Sequence, residues 1–205
     1  MFDGFREGVK MPSFTKTGLR CLGIAESFIK GVSRRSILVG VVMRGDFKID
    51  GFNVKTIEVG GMDSTESIVS MVEEFNRKDI STIMLNGCII SWFNIVDLNR
   101  VYEETRIPLL CVSYNPSDGI EKYIKEYFPE DWRKRMEVCI RNGERRRVIL
   151  KTGFPVYLHN LGISLHDAKM ILNRFTVFGR IPEPIRVSKI IARTILKKKD
   201  ILKDL

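Results

Sequence analysis

Two short apolar runs end in polar residues where loops begin: Leu22-Gly23-Ile24-Ala25-Glu26 and Ile83-Met84-Leu85-Asn86-Gly87. Ligand sites in α/β folds commonly sit at the carboxyl ends of central strands. A fold that brings these two ends together makes one polar patch at the rim of a sheet. The patch offers one carboxylate, Glu26, and one amide, Asn86, rather than a pair of aspartates, so weakened metal-nuclease chemistry is the expectation there. Glu66 and Asp167, each near the start of a predicted helix, are further carboxylates, and each has a plain reading. Glu66 with Asp63 has the form of a capping box, and Asp167 favours a helix dipole.

Other reactive residue types say less. Cys21, Cys88, Cys111 and Cys139 include no Cys-x-x-Cys pair, and His159 and His166 are the only histidines, so a zinc site is not expected. Cys21 and Cys111 read as small buried thiols. Trp92 and Phe93 follow closely on Asn86 and can stack on a base, against the plainer reading of core packing. Net charge is +9, from 34 basic and 25 acidic residues. The excess gathers late, first around Arg133–Arg147 and Lys151, then along Arg186–Lys199. Arg145, Arg146, Arg147 and Lys151 are candidate phosphate contacts, because basic clusters displace the counterions condensed on nucleic acid. A basic solvated face is the equal alternative.

Elements that position these residues follow from periodicity. Arg20–Ala25, Ser36–Arg44 and Phe52–Val59 read as three strands in a meander, joined by turns at Gly31–Arg35 and Gly45–Gly51. A helix opens at Asp63 and runs to Asn76 with an apolar stripe of Ile68, Val69, Met71, Val72 and Phe75. Thr82–Leu85 is a fourth strand, Phe93–Thr105 a helix and Pro108–Ser113 a fifth strand. Helices are expected near Gly119–Tyr127, Asp131–Asn142, Ser164–Phe175 and Ile185–Leu196, and a strand at Phe154–Leu158. The chain reads as one domain over residues 1–205, with residues 1–18 a loosely ordered arm. No run approaches the roughly 18 apolar residues of a membrane span, and the N-terminus lacks a signal-peptide core, so a cytoplasmic protein is expected.

This order predicts an α/β, ribonuclease-H-like mixed five-stranded sheet, a meander followed by β-α-β, flanked by helices and extended by C-terminal ones. The five residues at 31–35 cannot supply the helix that a flavodoxin-like or Rossmann sheet needs between its first two strands.

Four segments carry a resemblance: Leu22–Glu26; Val59-Gly-Gly-Met-Asp-Ser-Thr-Glu66; Met84-Leu-Asn-Gly87 with Phe93–Asp97; and Ile181-Pro-Glu-Pro-Ile-Arg186 with Ile190–Arg193. Through them the chain resembles the archaeal domain-of-unknown-function ninety-nine family, which is similar to endonuclease V. The resemblance implies carboxylates that hold Mg²⁺ or Mn²⁺ and activate water against a phosphodiester. The first-strand aspartate of that pattern falls at Ala25, with the second acid of the turn kept as Glu26. The fourth-strand aspartate falls at Asn86, and the first-helix glutamate at Glu66. Glu26, Glu66 and Asp167 are then the expected metal ligands, with Asn86 adding a carbonyl. Glu26 replaces the lost aspartate only if the turn rotates it inward. Where endonuclease V carries a Tyr-Ile-Pro wedge, Glu58-Val59-Gly60-Gly61 stands here. The expected function is a nucleic-acid-binding relative of endonuclease V, with catalysis either retained or lost. The alternative is a binding or interaction module that keeps only the fold.

Overall fold

The structure, a computed structural model, describes residues 18–116 and 119–198. The expected arm over residues 1–18 lies almost wholly outside them, as does Lys199. The meander forms as three antiparallel strands, β1 (Arg20–Ser27), β2 (Arg35–Arg44) and β3 (Ile49–Glu58). Helix α1 (Ser64–Phe75) leads to β4 (Thr82–Asn86), which pairs in parallel with β1, Cys21 opposite Thr82 and Ile24 opposite Leu85. The first and fourth strands are therefore neighbours at the centre of the sheet, as their order requires.

Next come a two-residue ladder, β5 (Ile89–Ile90) with β6 (Asn94–Ile95), then α2 (Leu98–Thr105) and β7 (Leu109–Ser113), parallel to β4. Helix α2 starts later than Phe93 because Asp97 caps it, accepting from the Arg100 N–H at 3.1 Å. Helices α3 (Ile120–Tyr127) and α4 (Trp132–Arg141) follow, then the hairpin of β8 (Arg146–Ile149) and β9 (Pro155–Leu161). The chain continues through α5 (Leu165–Phe175) and α6 (Glu183–Lys197).

The sheet order is β3-β2-β1-β4-β7-β9-β8. The five strands expected from sequence are its first five, and β9 and β8 extend it antiparallel beyond β7. The central strands alternate between two cores, since successive strand residues face opposite sides. Leu22, Ile24, Ile83, Leu85 and Cys111 pack under α1 and α2. Cys21, Ala25, Met84, Leu110 and Val112 pack against α5 and the start of α6.

Helix α6 is seated on β1 at one tight point. A Cβ added at Gly23 would lie 2.3 Å from the Pro184 carbonyl carbon, so only glycine admits the helix there. The buried Ser188 hydroxyl lies 2.7 Å from the Gly23 carbonyl oxygen and 2.8 Å from that of Pro184, its proton shared between them. Pro184 stands in the first turn of α6, where its missing N–H costs nothing.

Candidate nucleic-acid cleft at the carboxyl edge

The carboxyl ends of β4 and β7 open into a cleft of roughly 880 Å³. Asn86, Arg145, Tyr157, His159 and Lys189 are among its lining residues. Arg145 is fixed there. Its Nη1 donates to Ser113 Oγ at 2.8 Å and to the Asn115 carbonyl at 3.1 Å, and its guanidinium lies 5.2 Å from the centre of the Tyr157 ring. Lys189 arrives from α6, one turn beyond the Gly23–Pro184 contact.

Glu26 does not lie in a turn. Strand β1 continues through Ser27, and Glu26 pairs with Leu38 on the side facing α1 and α2. Ala25 faces the other side, and so does Asn86, which follows Met84 by two residues and pairs with Val112. Glu26 accepts a hydrogen bond from the Ser36 hydroxyl at 3.2 Å. Burial pushes its carboxyl above the usual carboxylate range, against the Ser36 hydrogen bond, the charges of Lys189 and Arg193 and the Ser91 N–H, which pull it down. Glu26 and Asn86 do share the lining of a second hollow, of about 10 Å³.

Glu66 lies elsewhere. Its carboxylate is two-thirds exposed, paired with Arg100 of α2, and lines neither hollow. The capping box is not formed either. Asp63 turns back to accept the Glu58 N–H and the Asn94 side-chain amide, and the Ser64 N–H at the start of α1 donates to Asn94 Oδ1. Asp167 sits in the first turn of α5, beside Ser164, which caps the helix and donates to its carboxylate at 2.7 Å. That turn follows Leu161, the partner of Leu109 at the amino end of β7. Asp167 is thus at the opposite end of the sheet from Asn86.

The basic run divides in three. Arg145 lines the cleft, Arg146 and Arg147 are exposed on the edge strand β8, and Lys151 is exposed in the turn after it. Trp92 is half-buried in an aromatic group: its ring lies 4.9 Å from Tyr127 and 5.3 Å from Phe93, with Lys30 Nζ 4.1 Å above it. The loop that displays it is strained. Ser91, Trp92 and Phe93 all have positive φ, at 42°, 59° and 62°.

From the sequence, Arg135 belongs to a basic run that reads equally as a phosphate-binding patch or a solvated face, yet its side chain is buried and holds this loop. It donates to Phe93 O at 2.8 Å, Gly60 O at 2.8 Å and Gly61 O at 3.1 Å, with Asp131 as counter-ion at 2.8 Å. The only available signal was Asp131 four residues ahead of it, the spacing of a helical ion pair.

The endonuclease dU family model matches residues 17–196. The chain belongs to the endonuclease dU family. A UPF0215 protein of Pyrobaculum calidifontis is 36% identical over 172 residues, spanning 83% of this chain and 93% of its own. The crystal structure of a protein of unknown function from Archaeoglobus fulgidus is 30% identical, with a TM-score of 0.76 over 87% of this chain and 98% of that one. Ciona intestinalis endonuclease V, solved with an inosine-containing DNA, is 17% identical, with a TM-score of 0.60 over 88% of this chain and 87% of that one. The last likeness is one of fold: the chain has the ribonuclease-H-like, nuclease-type sheet of endonuclease V.

That fold implies a divalent cation, and the residues present here do not fit Mg²⁺. The cation requires near-octahedral oxygen ligands and keeps several waters. The side of the sheet shared by Ala25 and Asn86 offers a methyl group and an amide. Glu26 is on the other side, and the hollow it shares with Asn86 has room for about one water. Lys189 brings a positive charge into the cleft that Asn86 also lines. Expectations for Glu26, Glu66 and Asp167 as one ligand set therefore meet a fold that keeps the three apart.

Proposed function

We propose that this chain binds nucleic acid along the cleft at the carboxyl ends of β4 and β7 and does so without metal-dependent cleavage. The observation that carries the reading is Lys189, which lines the cleft together with Asn86 and Arg145. An ammonium group there supplies positive charge to a phosphate with no bound cation. Arg145 adds a guanidinium suited to forked phosphate contacts, and Trp92 offers a ring on which an unpaired base can stack. Arg146, Arg147 and Lys151 extend the positive field around the edge of the sheet.

The test measures anisotropy of labelled single-stranded DNA, duplex DNA and RNA, in EDTA and then in Mg²⁺ or Mn²⁺, with gel analysis of the same samples. Binding should weaken with salt, ignore EDTA, fall in Lys189→Ala, and leave the strands intact. Metal-dependent cleavage that disappears in Glu26→Gln or Glu66→Ala would overturn the reading and restore the carboxylates as catalytic groups.

A further inference from the structure

Spacing along the chain argues against a zinc site, because no two cysteines stand close in sequence. The fold nevertheless brings two cysteines and a histidine together from three separate elements. Cys111 of β7 and His159 of β9 are register partners, so their side chains stand side by side on one face of the sheet. Cys88 follows the end of β4, the other neighbour of β7. The two sulfurs and a ring nitrogen of His159 all lie within 4.8 Å of one another.

The imidazole is oriented as a metal ligand would be. His159 is 6% exposed, and its Nε2–H donates to the Gly143 carbonyl at 3.0 Å. That bond fixes the tautomer and leaves the lone pair on Nδ1. Nδ1 itself is buried and has no hydrogen-bond partner among the described residues. A buried nitrogen lone pair with no hydrogen-bond partner, on a ring that stands beside two thiols, is an unmet acceptor of a kind folded proteins seldom leave.

We propose that Cys88, Cys111 and His159 bind a thiophilic divalent cation of the Zn²⁺ class, with the fourth position open to the cleft. Two thiolates and one imidazole suit Zn²⁺ and not Mg²⁺. Three protein ligands leave one tetrahedral position, and Cys88 and His159 both line the cleft, so a water or a ligand oxygen completes the shell. Both thiols lose their protons to solvent as the cation enters, so affinity falls in acid. The cation would pin the segment after Asn86 to β7 and β9. The inference stands apart from the nucleic-acid reading, because its readout needs no nucleic acid.

The experiment titrates Zn²⁺ into the reduced full chain against a competing chelator and records the absorption of the Co²⁺ form. The expected result is one cation per chain, with a thiolate-to-Co²⁺ charge-transfer band. Cys88→Ser and His159→Gln should each weaken Zn²⁺ by more than the roughly 10–100-fold of a lost second-shell partner. His166→Gln, an exposed histidine outside the trio, should leave it unchanged. Absence of the Co²⁺–thiolate band in the unmodified chain would overturn the assignment. So would Zn²⁺ affinity in Cys88→Ser and His159→Gln equal to that of the unmodified chain, and the band does not depend on any variant's folding.

Discussion

Ala25 and Glu26, adjacent in β1, face opposite sides of the sheet: Ala25 packs with Met84 and Val112, and Glu26 lies on the side of Leu22 and Ile24. Strand alternation turns the acid at the second position away from the face of the lost one, and Glu26 meets Asn86 only at the rim, in the small hollow that both line with Ala25. Replacing both lost aspartates, as Ala25→Asp with Asn86→Asp, puts two carboxylates on the side of α6. The double variant should be less stable than the parent without metal, since Ala25 is buried. Mn²⁺ at about a hundred times its Kd should return about 2.7 kcal/mol. Thermal shifts with and without Mn²⁺ measure this, and a double variant with no Mn²⁺-dependent shift removes the assignment of these two positions.

Glu26 gives a dependence on pH. Its folded pKa is raised by burial, so between the ordinary carboxylate value and the raised one the native state holds more protons than the unfolded chain. Stability is greatest while Glu26 is protonated and falls as pH climbs through that window. Glu26→Gln should match the parent below about pH 4 and exceed it at pH 7. Melting temperatures across that range decide it; a gap of the same size at both ends would show that burial of the charge is not the cause.

Trp92 offers a way to separate single strands from duplexes. If its ring stacks on a base, Trp92→Ala should lose about 1–3 kcal/mol on single-stranded DNA or RNA. Duplex binding, carried by phosphate contacts, should change little. Anisotropy titrations at one salt concentration compare the two, and an equal loss on both substrates would return Trp92 to a packing role.

Gly23→Ala tests the seating of α6. The new methyl would overlap the Pro184 backbone, which cannot swing aside as a side chain can. The cost should be about 3 kcal/mol, near the top of the usual overpacking range. Urea unfolding gives the figure, and a loss below about 0.5 kcal/mol would mean that the helix slides freely on β1.

What could be read from the sequence was what repeats over several residues. The apolar runs of β1, β2 and β4 and the stripe of α1 gave the order of the central strands and the adjacency of β1 and β4. The two-residue strands β5 and β6 have no period to detect, and β6 fell inside the helix expected from Phe93, which begins only at Leu98. Strand β8 was hidden because Val148 is the one buried residue in an arginine-rich run of four. Arg135 and the Cys88–Cys111–His159 group depend on contacts between distant segments, and no local pattern announces those. Glu66 was legible only in part, for a related reason. Its position at the start of α1 was legible, but the claim of Arg100 on its carboxylate was not.

Arg146 and Arg147 stand exposed on β8, which forms one margin of the sheet, and β3 forms the other. The two margins differ in how they meet a stray strand. Positive charge on a short margin of four residues repels a second copy and blunts the row of free backbone groups. Strand β3 has ten residues, and Phe52 and Val54 are exposed on it at 57% and 37%. Among the described residues no further strand pairs with β3, so strand addition is disfavoured at β8 and has a longer, more apolar row to meet at β3. Aggregates or exchanged dimers of this chain are therefore expected to start along β3, with the arginine pair that reads as a nucleic-acid contact acting as a guard at the other margin.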